Sequence, residues 1–341
     1  MLVLGVDAHK RTHTAVAVDA VGKQVEHTCQ RANDDGHREL IDWSRRASGD
    51  QRVWAVEDCR HVSGRLEHAL ISAGEHVVRV PPKLMAVART SARTRGKSDP
   101  IDALAVARAY LREPELPAAG HDPVSREIKL LTDHRDALVT RRTQAINRLR
   151  WHVHDLDPDA DIPARRLHQP AIRDRLARWF ADLPSTVLST ICQELIADIT
   201  TLTERINTAE HQLQTRVQHH APRLTELPGC GALTAAKILA ETAGATRFRS
   251  EACFAMHAGA APVPASSGNK NRHRLTRTGN RQLNAALHRI ALTQTRLPGP
   301  GRDYYQRRRS SGDSSKDAIR ALKRKVARAV FATLKAPTPL T

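Results

Sequence analysis

The chain opens with short apolar runs that end in polar residues. Leu2-Val-Leu-Gly-Val-Asp7 is the pattern of a buried strand that stops at an acid. Thr14-Ala-Val-Ala-Val-Asp19 follows, then a turn around Gly22, then Lys23-Gln-Val-Glu-His-Thr28 with the alternation of a third strand. Residues 34–47 place Leu40, Ile41 and Trp43 at helical spacing. Arg52-Val-Trp-Ala-Val-Glu57 is another strand ending in an acid. A helix over 61–73, a strand over 75–80 and a helix from Pro82 to Arg93 continue the pattern. The order β-β-β-α-β-α-β-α predicts a mixed α/β sheet with helices on its faces, over about residues 1–120.

Beyond that the period changes to helical. Ile128, Leu131, Leu138, Ile146, Leu149 and Val153 mark one long helix, and Pro158 and Pro163 interrupt the pattern. Ile191, Leu195, Ile199, Leu202, Ile206, Ala209 and Leu213 mark a second with heptad-like spacing. Two long antiparallel helices are expected over 121–217. Residues 218–341 read as a third, all-α region. In Leu224-Thr-Glu-Leu-Pro-Gly-Cys-Gly-Ala-Leu, a glycine turn with Gly229 and Gly231 sits between helical stretches, as in a helix-hairpin-helix. Such a turn lets backbone N–H groups approach a phosphate closely. A helix is expected over 284–297, a break at Pro298-Gly-Pro-Gly301, and one helix over 302–334, apolar on Ile319, Leu322, Val326, Val330 and Leu334 and basic elsewhere.

Charge narrows the class of partner. Lys and Arg number 54 against 36 Asp and Glu, a net +18 with a pI near 10.5. Clustered positive charge on this scale points to a polyanion. No apolar run reaches bilayer length, so no membrane partner is expected. Five widely spaced cysteines fit neither a disulfide framework nor a zinc pattern, which suggests reduced thiols in the cytoplasm.

The chemistry concentrates in Arg93-Thr-Arg-Gly-Lys-Ser-Asp-Pro-Ile-Asp102. Ser98 or Asp99 can cap the helix that Pro100 opens. Asp99 and Asp102, three apart, can share a face. Beside Arg93, Arg95 and Lys97 this suggests a divalent metal meeting a phosphate. The plain alternative is a cap and a surface charge. If the first and fourth strands are neighbours, Asp7 and Glu57 share one sheet edge and the helix with Asp99 and Asp102 can close it. Four such carboxylates suit a two-metal site, and oxygen ligands favour Mg²⁺ or Mn²⁺. His9 and Asp58 lie nearby.

Asp7 in Gly-Val-Asp-Ala-His-Lys, Glu57 in Ala-Val-Glu-Asp, and Asp99 and Asp102 in Lys-Ser-Asp-Pro-Ile-Asp-Ala resemble the acidic tetrad of the insertion-sequence DEDD transposases of the one-ten group. The resemblance covers nearly the whole chain. It implies a RuvC-like, RNase H-type domain at 1–120, a coiled-coil segment at 121–217 and a transposase domain at 218–341. It implies a DNA recombinase guided by a bridge RNA, acting as a homo-oligomer in the bacterial cytoplasm at the nucleoid. The stretch 259–281, with Lys270, Arg272, Arg274, Arg277 and Arg281, resembles the segment that carries the family's nucleophile. Carried over, the nucleophile is Ser267, next to Gly268, with Ser266 as fallback; by itself this dipeptide is unremarkable. Two rivals stand beside this reading. A metal nuclease that resolves junctions with water needs the tetrad but not Ser267. A non-catalytic nucleic-acid-binding protein needs neither.

Overall fold

The structure, a computed structural model, describes residues 1–47, 51–90, 98–120, 122–160, 162–264, 273–275 and 279–336. They fall into two compact units. One joins Met1–Pro123, Leu227–Gly229 and Thr242–Thr341; the other joins Val124–Glu226 and Cys230–Glu241.

The first unit begins with β1 (Leu2–Ala8), β2 (Thr12–Val18) and β3 (Gln24–Arg31), then α1 (Asp34–Ala47), β4 (Arg52–Glu57), α2 (Arg60–Ser72), β5 (Val77–Val80), α3 (Pro82–Thr90) and α4 (Asp99–Arg112). This is the order expected from the apolar runs. The sheet order is β3-β2-β1-β4-β5. β1 to β3 are antiparallel, and β4 and β5 run parallel to β1. That is the RNase H-type arrangement, with β1 at the centre and β4 beside it.

Alternation along each strand builds two cores. Val3, Val16, Val53, Ala55, Val78 and Val80 pack with Met85 of α3 and Ala103, Val106 and Tyr110 of α4. Leu4, Val6, Ala15, Ala17, Trp54 and Val56 pack with Leu40 and Trp43 of α1 and Leu66 and Leu70 of α2. Between the strands and α4 lies Gly5. A Cβ there would stand 2.1 Å from the Ala103 carbonyl oxygen and 2.6 Å from the Ala107 nitrogen. Backbone cannot step aside as a side chain can. Gly5→Ala is therefore expected to destabilise at the upper end of the roughly 1–3 kcal/mol typical of overpacking. Denaturant midpoints of the two proteins measure it, and an unchanged midpoint would contradict this packing.

On the opposite face, His13 of β2 stacks on His37 of α1 with ring centroids 5.3 Å apart. Both are buried, and His13 Nδ1 and His37 Nε2 find no hydrogen-bond partner among the described residues. Burial, with the charge of His37 and then His9 adding to it, lowers the His13 pKa from 6.5 to about 4. The unfolded chain therefore binds a proton at this site between those values while the folded chain does not. Stability is whole above pH 6.5 and falls as the pH drops toward 4, by on the order of 3 kcal/mol from His13. His13→Phe should flatten that fall in urea titrations at pH 7 and pH 4.5. An equally steep fall in the variant would assign it to other groups.

The far edge of the sheet is covered. Ala118 bridges Val78, and the Ala119 N–H donates to the Val77 carbonyl at 2.7 Å. The Ala118 carbonyl in turn accepts from Arg247 Nη1 at 3.1 Å.

The second unit holds α5 (Pro123–Leu156), α6 (Pro170–Asp182), α7 (Val187–His220), α8 (Pro222–Glu226) and most of α9 (Ala232–Thr242). α5 and α7 are the two expected long helices, and they run antiparallel. Arg135 pairs with Glu210, and Arg142 Nη1 donates to Thr203 Oγ1 at 3.3 Å. Leu149 and Val153 join Cys192, Leu195 and Ile196 in a core completed by Leu176 and Phe180 of α6.

The first unit resumes with α10 (Glu251–His257), β6 (Pro262–Pro264), β7 (His273–Leu275), α11 (Arg281–Gln294), α12 (Pro300–Ser310) and α13 (Ser315–Lys335). The single helix expected over 302–334 is two. Gly312 takes φ +92°, and Ser314 then caps α13 by accepting from the Asp317 N–H. Lys323 does not join the basic face. It is buried, and its Nζ donates to Asn284 Oδ1 at 3.1 Å. Burial, then the charge of Arg320, holds its pKa below the usual lysine value.

Candidate active site

The alternation that sorts the cores also aims the acids. Asp7 follows Val3 and Gly5 on the α4 side of β1. Glu57 follows Val53 and Ala55 on the same side of β4. Val6 is in register with Val56, which sets Asp7 and Glu57 at the carboxyl ends of neighbouring parallel strands. α4 lies across that face, and the close pass at Gly5 sets the height of its first turn. Ser98 takes the extended N-cap conformation without a side-chain cap bond, and Pro100 sits in the first turn. The Ser98 carbonyl accepts from the Asp102 N–H at 3.0 Å. Asp99 and Asp102 are thereby presented toward the strand ends.

Asp7 is 3% exposed. His9 Nε2 lies 3.1 Å from Asp7 Oδ2 and 3.4 Å from Asp99 Oδ1, so one imidazole bridges two of the acids. Asp102 Oδ1 instead meets Arg89 Nη2 of α3 at 2.7 Å. Burial raises the Asp7 carboxyl above the ordinary value of 3.8. The nearby His9 works against that rise, and the charges of Glu57, Asp102 and Asp99 add to it. Glu57, Asp102 and Asp99 thus each lie near enough to act on Asp7, while the tightest grouping of ligand atoms among the described residues is Asp7, His9 and Asp99. Glu57 also helps burial push the Cys59 thiol up to about 11.

Other expected positions are less gathered. Gly229 takes φ +84° between α8 and α9, as the turn requires. Gly231 precedes α9, and its carbonyl accepts from the Thr234 and Ala235 N–H groups. Arg281 opens α11 at the surface, and Arg274 lies in β7. Arg93, Arg95, Lys97, Ser266, Ser267, Lys270, Arg272 and Arg277 lie outside the described residues. Arg89 was not foreseen. Its only signal in the sequence is a basic residue in the last turn of the helix preceding the acidic pair.

Two family profiles match this chain. One, of the DEDD-type IS110 transposases, spans residues 4–158; the other, described as the transposase IS116/IS110/IS902 family, spans residues 221–306. The chain belongs to the IS110 family of transposases. This transposase is 28% identical to a protein of insertion element IS116 from Streptomyces clavuligerus, over 97% of its own length and 94% of that protein. It is also 28% identical to a protein of IS900 from Mycobacterium paratuberculosis, over 97% and 95% of the two chains. Two solved structures of Thermus thermophilus RuvC align with 35% of this transposase. One, in complex with a Holliday junction substrate, shares 16% identity at a TM-score of 0.27; the other shares 17% at 0.28. The fold assignment rests on the strand order and directions above.

The residues of this transposase fit a divalent cation. Asp7, His9 and Asp99 each offer a ligand atom, all within 4.8 Å of one another. The donors are mainly carboxylate oxygens, and the buried Asp7 is surrounded by like charge that a cation would relieve. Among the described residues no helix is long and apolar enough to cross a membrane.

Proposed function

We propose that this transposase cuts and rejoins DNA strands of an insertion sequence through a serine nucleophile, with a metal-bound acidic tetrad and a guide RNA that selects the DNA by base pairing. The observation that supports it best is the placement of Asp7 and Glu57 on the face that α4 covers, with His9 joining Asp7 to Asp99.

Asp7, Glu57, Asp99 and Asp102 would hold Mg²⁺ or Mn²⁺. When bound, the metal neutralises charge that builds on the phosphate oxygens. The chain's own residues do the remaining work. The strands fix Asp7 and Glu57, and α4 fixes Asp99 and Asp102, so little reorganisation is needed. Arg89 orients the Asp102 carboxylate. Ser267 Oγ forms a bond to phosphorus as the bond to one deoxyribose oxygen breaks. The serine proton leaves, and the departing oxygen gains one. The phosphoserine ester keeps the energy of the broken bond, so rejoining needs no outside source. Lys270, Arg272, Arg274, Arg277 and Arg281 offer cations for the phosphate. The turn at Gly229 and Gly231 serves as a helix-hairpin-helix that holds the DNA backbone without reading sequence. With selection left to base pairing, the protein reads backbone and shape. The acids and Ser267 are far apart in sequence, and a second copy of the chain donating its serine would complete the site in an oligomer.

The test is to incubate the protein with element-end DNA, guide RNA and Mg²⁺, denature, and look for DNA covalently held by protein. An adduct supports the reading. Cleavage with two free ends makes this a nuclease that uses water.

A further inference from the structure

Trp151 on α5 is 74% exposed, whereas Trp43 and Trp54 are buried and Trp179 packs in the core of the helical unit. A single exposed apolar side chain is ordinary, but an exposed indole face set among cations is a platform on which a flat ring can stack. From Ala137 to His154 the chain contains no Asp or Glu, but has Arg141, Arg142, Arg148, Arg150, His152 and His154. Arg142 leans on Thr203, while Arg141, Arg148 and Arg150 are exposed and form no ion pair among the described residues. Asn147 and Arg148 lie one turn before Trp151 and His154 one turn after, so they flank its ring on one helix face. A cavity of about 410 Å³ opens beside the ring, lined by Asn147, Arg150, His154 and Ile162 among others. That volume suits a group the size of a nucleoside. Asp155, Asp157 and Asp159 end the basic stretch on its C-terminal side, which directs a polyanion back along α5 toward Arg141.

We infer that this face of α5 binds unpaired nucleotides, with Trp151 stacking on a base and Arg148, Arg150 and Arg141 following the phosphates. A base within a duplex already stacks on both sides and cannot offer its face, so the ligand is a single strand or a loop. The inference deepens the nucleic-acid reading above and rests on it, but it uses none of the tetrad.

The experiment uses full-length wild type, Trp151→Ala and Trp151→Phe. Labelled oligonucleotides of about 12 nucleotides, as single-stranded RNA, single-stranded DNA and duplex, are titrated by fluorescence anisotropy at one salt concentration. Trp151→Ala should weaken single-strand binding about tenfold or more and leave duplex binding within about twofold. Trp151→Phe, which keeps an aromatic face, should retain most of the single-strand affinity. The RNA and DNA arms show which strand is preferred. Unchanged single-strand affinity, or equal loss on the duplex, overturns the inference. So does a fall in oligomer size for Trp151→Ala in sedimentation, which would make this face a contact between copies. The tetrad reading fails separately: normal cleavage by an Asp7→Asn protein would refute that reading and leave the Trp151 result standing.

Discussion

Asp7→Asn should leave DNA bound and uncut. Asp7 is the most buried acid of the set, and His9 ties it to Asp99. Replacing one carboxylate oxygen with an amide removes a ligand charge where several kcal/mol of charge stabilisation are expected, so cleavage should fall about 1000-fold or more. Binding, carried by basic residues elsewhere, should change little. The same substitution should stabilise the protein when no divalent metal is present. Burial raises the Asp7 pKa, so the charged form costs folding free energy once the pH exceeds the unfolded value of 3.8. Asn carries no charge, so its advantage should be present at pH 7 and vanish below about 3.8. Melting temperatures with and without Mg²⁺ give a second readout, because the shift that Mg²⁺ causes in wild type should shrink or disappear. Wild-type cleavage by Asp7→Asn would remove the acid cluster from the mechanism.

Ser267→Ala should eliminate both the covalent DNA adduct and strand exchange, whereas Ser266→Ala should keep part of each. Serine attack joins protein to one DNA end; water attack leaves both ends free. If a second copy supplies the serine, mixing Asp7→Asn with Ser267→Ala should restore some activity, since some sites would then pair two intact halves. Each protein alone should remain inactive. Full strand exchange by Ser267→Ala alone would make water the nucleophile.

β1, β2 and β4 could be read from the sequence because each is a short apolar run that stops at an acid, while the mostly exposed β3 shows only as alternation. Asp7 and Glu57 stood out for the same reason, as acids where apolar runs stop. What the runs could not give was which helix crosses which strand. Gly5 is the contact that brings α4 down onto β1, yet in the sequence it is one glycine in an apolar run. His9 and Arg89 took their places through the tertiary fold, and neither has a spacing that marks it. α6 is not among the helices expected from the sequence although Ile172, Leu176 and Phe180 keep helical spacing, because Pro158 and Pro163 before it interrupt the longer pattern. The split between α12 and α13 falls at Gly312, whose left-handed backbone ends one helix within Ser310-Ser311-Gly312-Asp313-Ser314, a stretch of residues that favour caps over helix interiors.

The strap at Ala118 and Ala119 bears on how this protein can be cut. It pairs with the outer edge of β5, and Arg247, more than a hundred residues further along, holds it in place. A fragment ending near residue 120 would keep every strand of the sheet but lose that guanidinium. The strap would then be free to peel away, leaving the N–H and C=O groups of β5 as a template for another chain. Expressed alone, the first third of this sequence would tend to stick to itself, and its insolubility would say nothing about whether the sheet had formed. A soluble minimal version would have to carry the C-terminal hundred residues along with it.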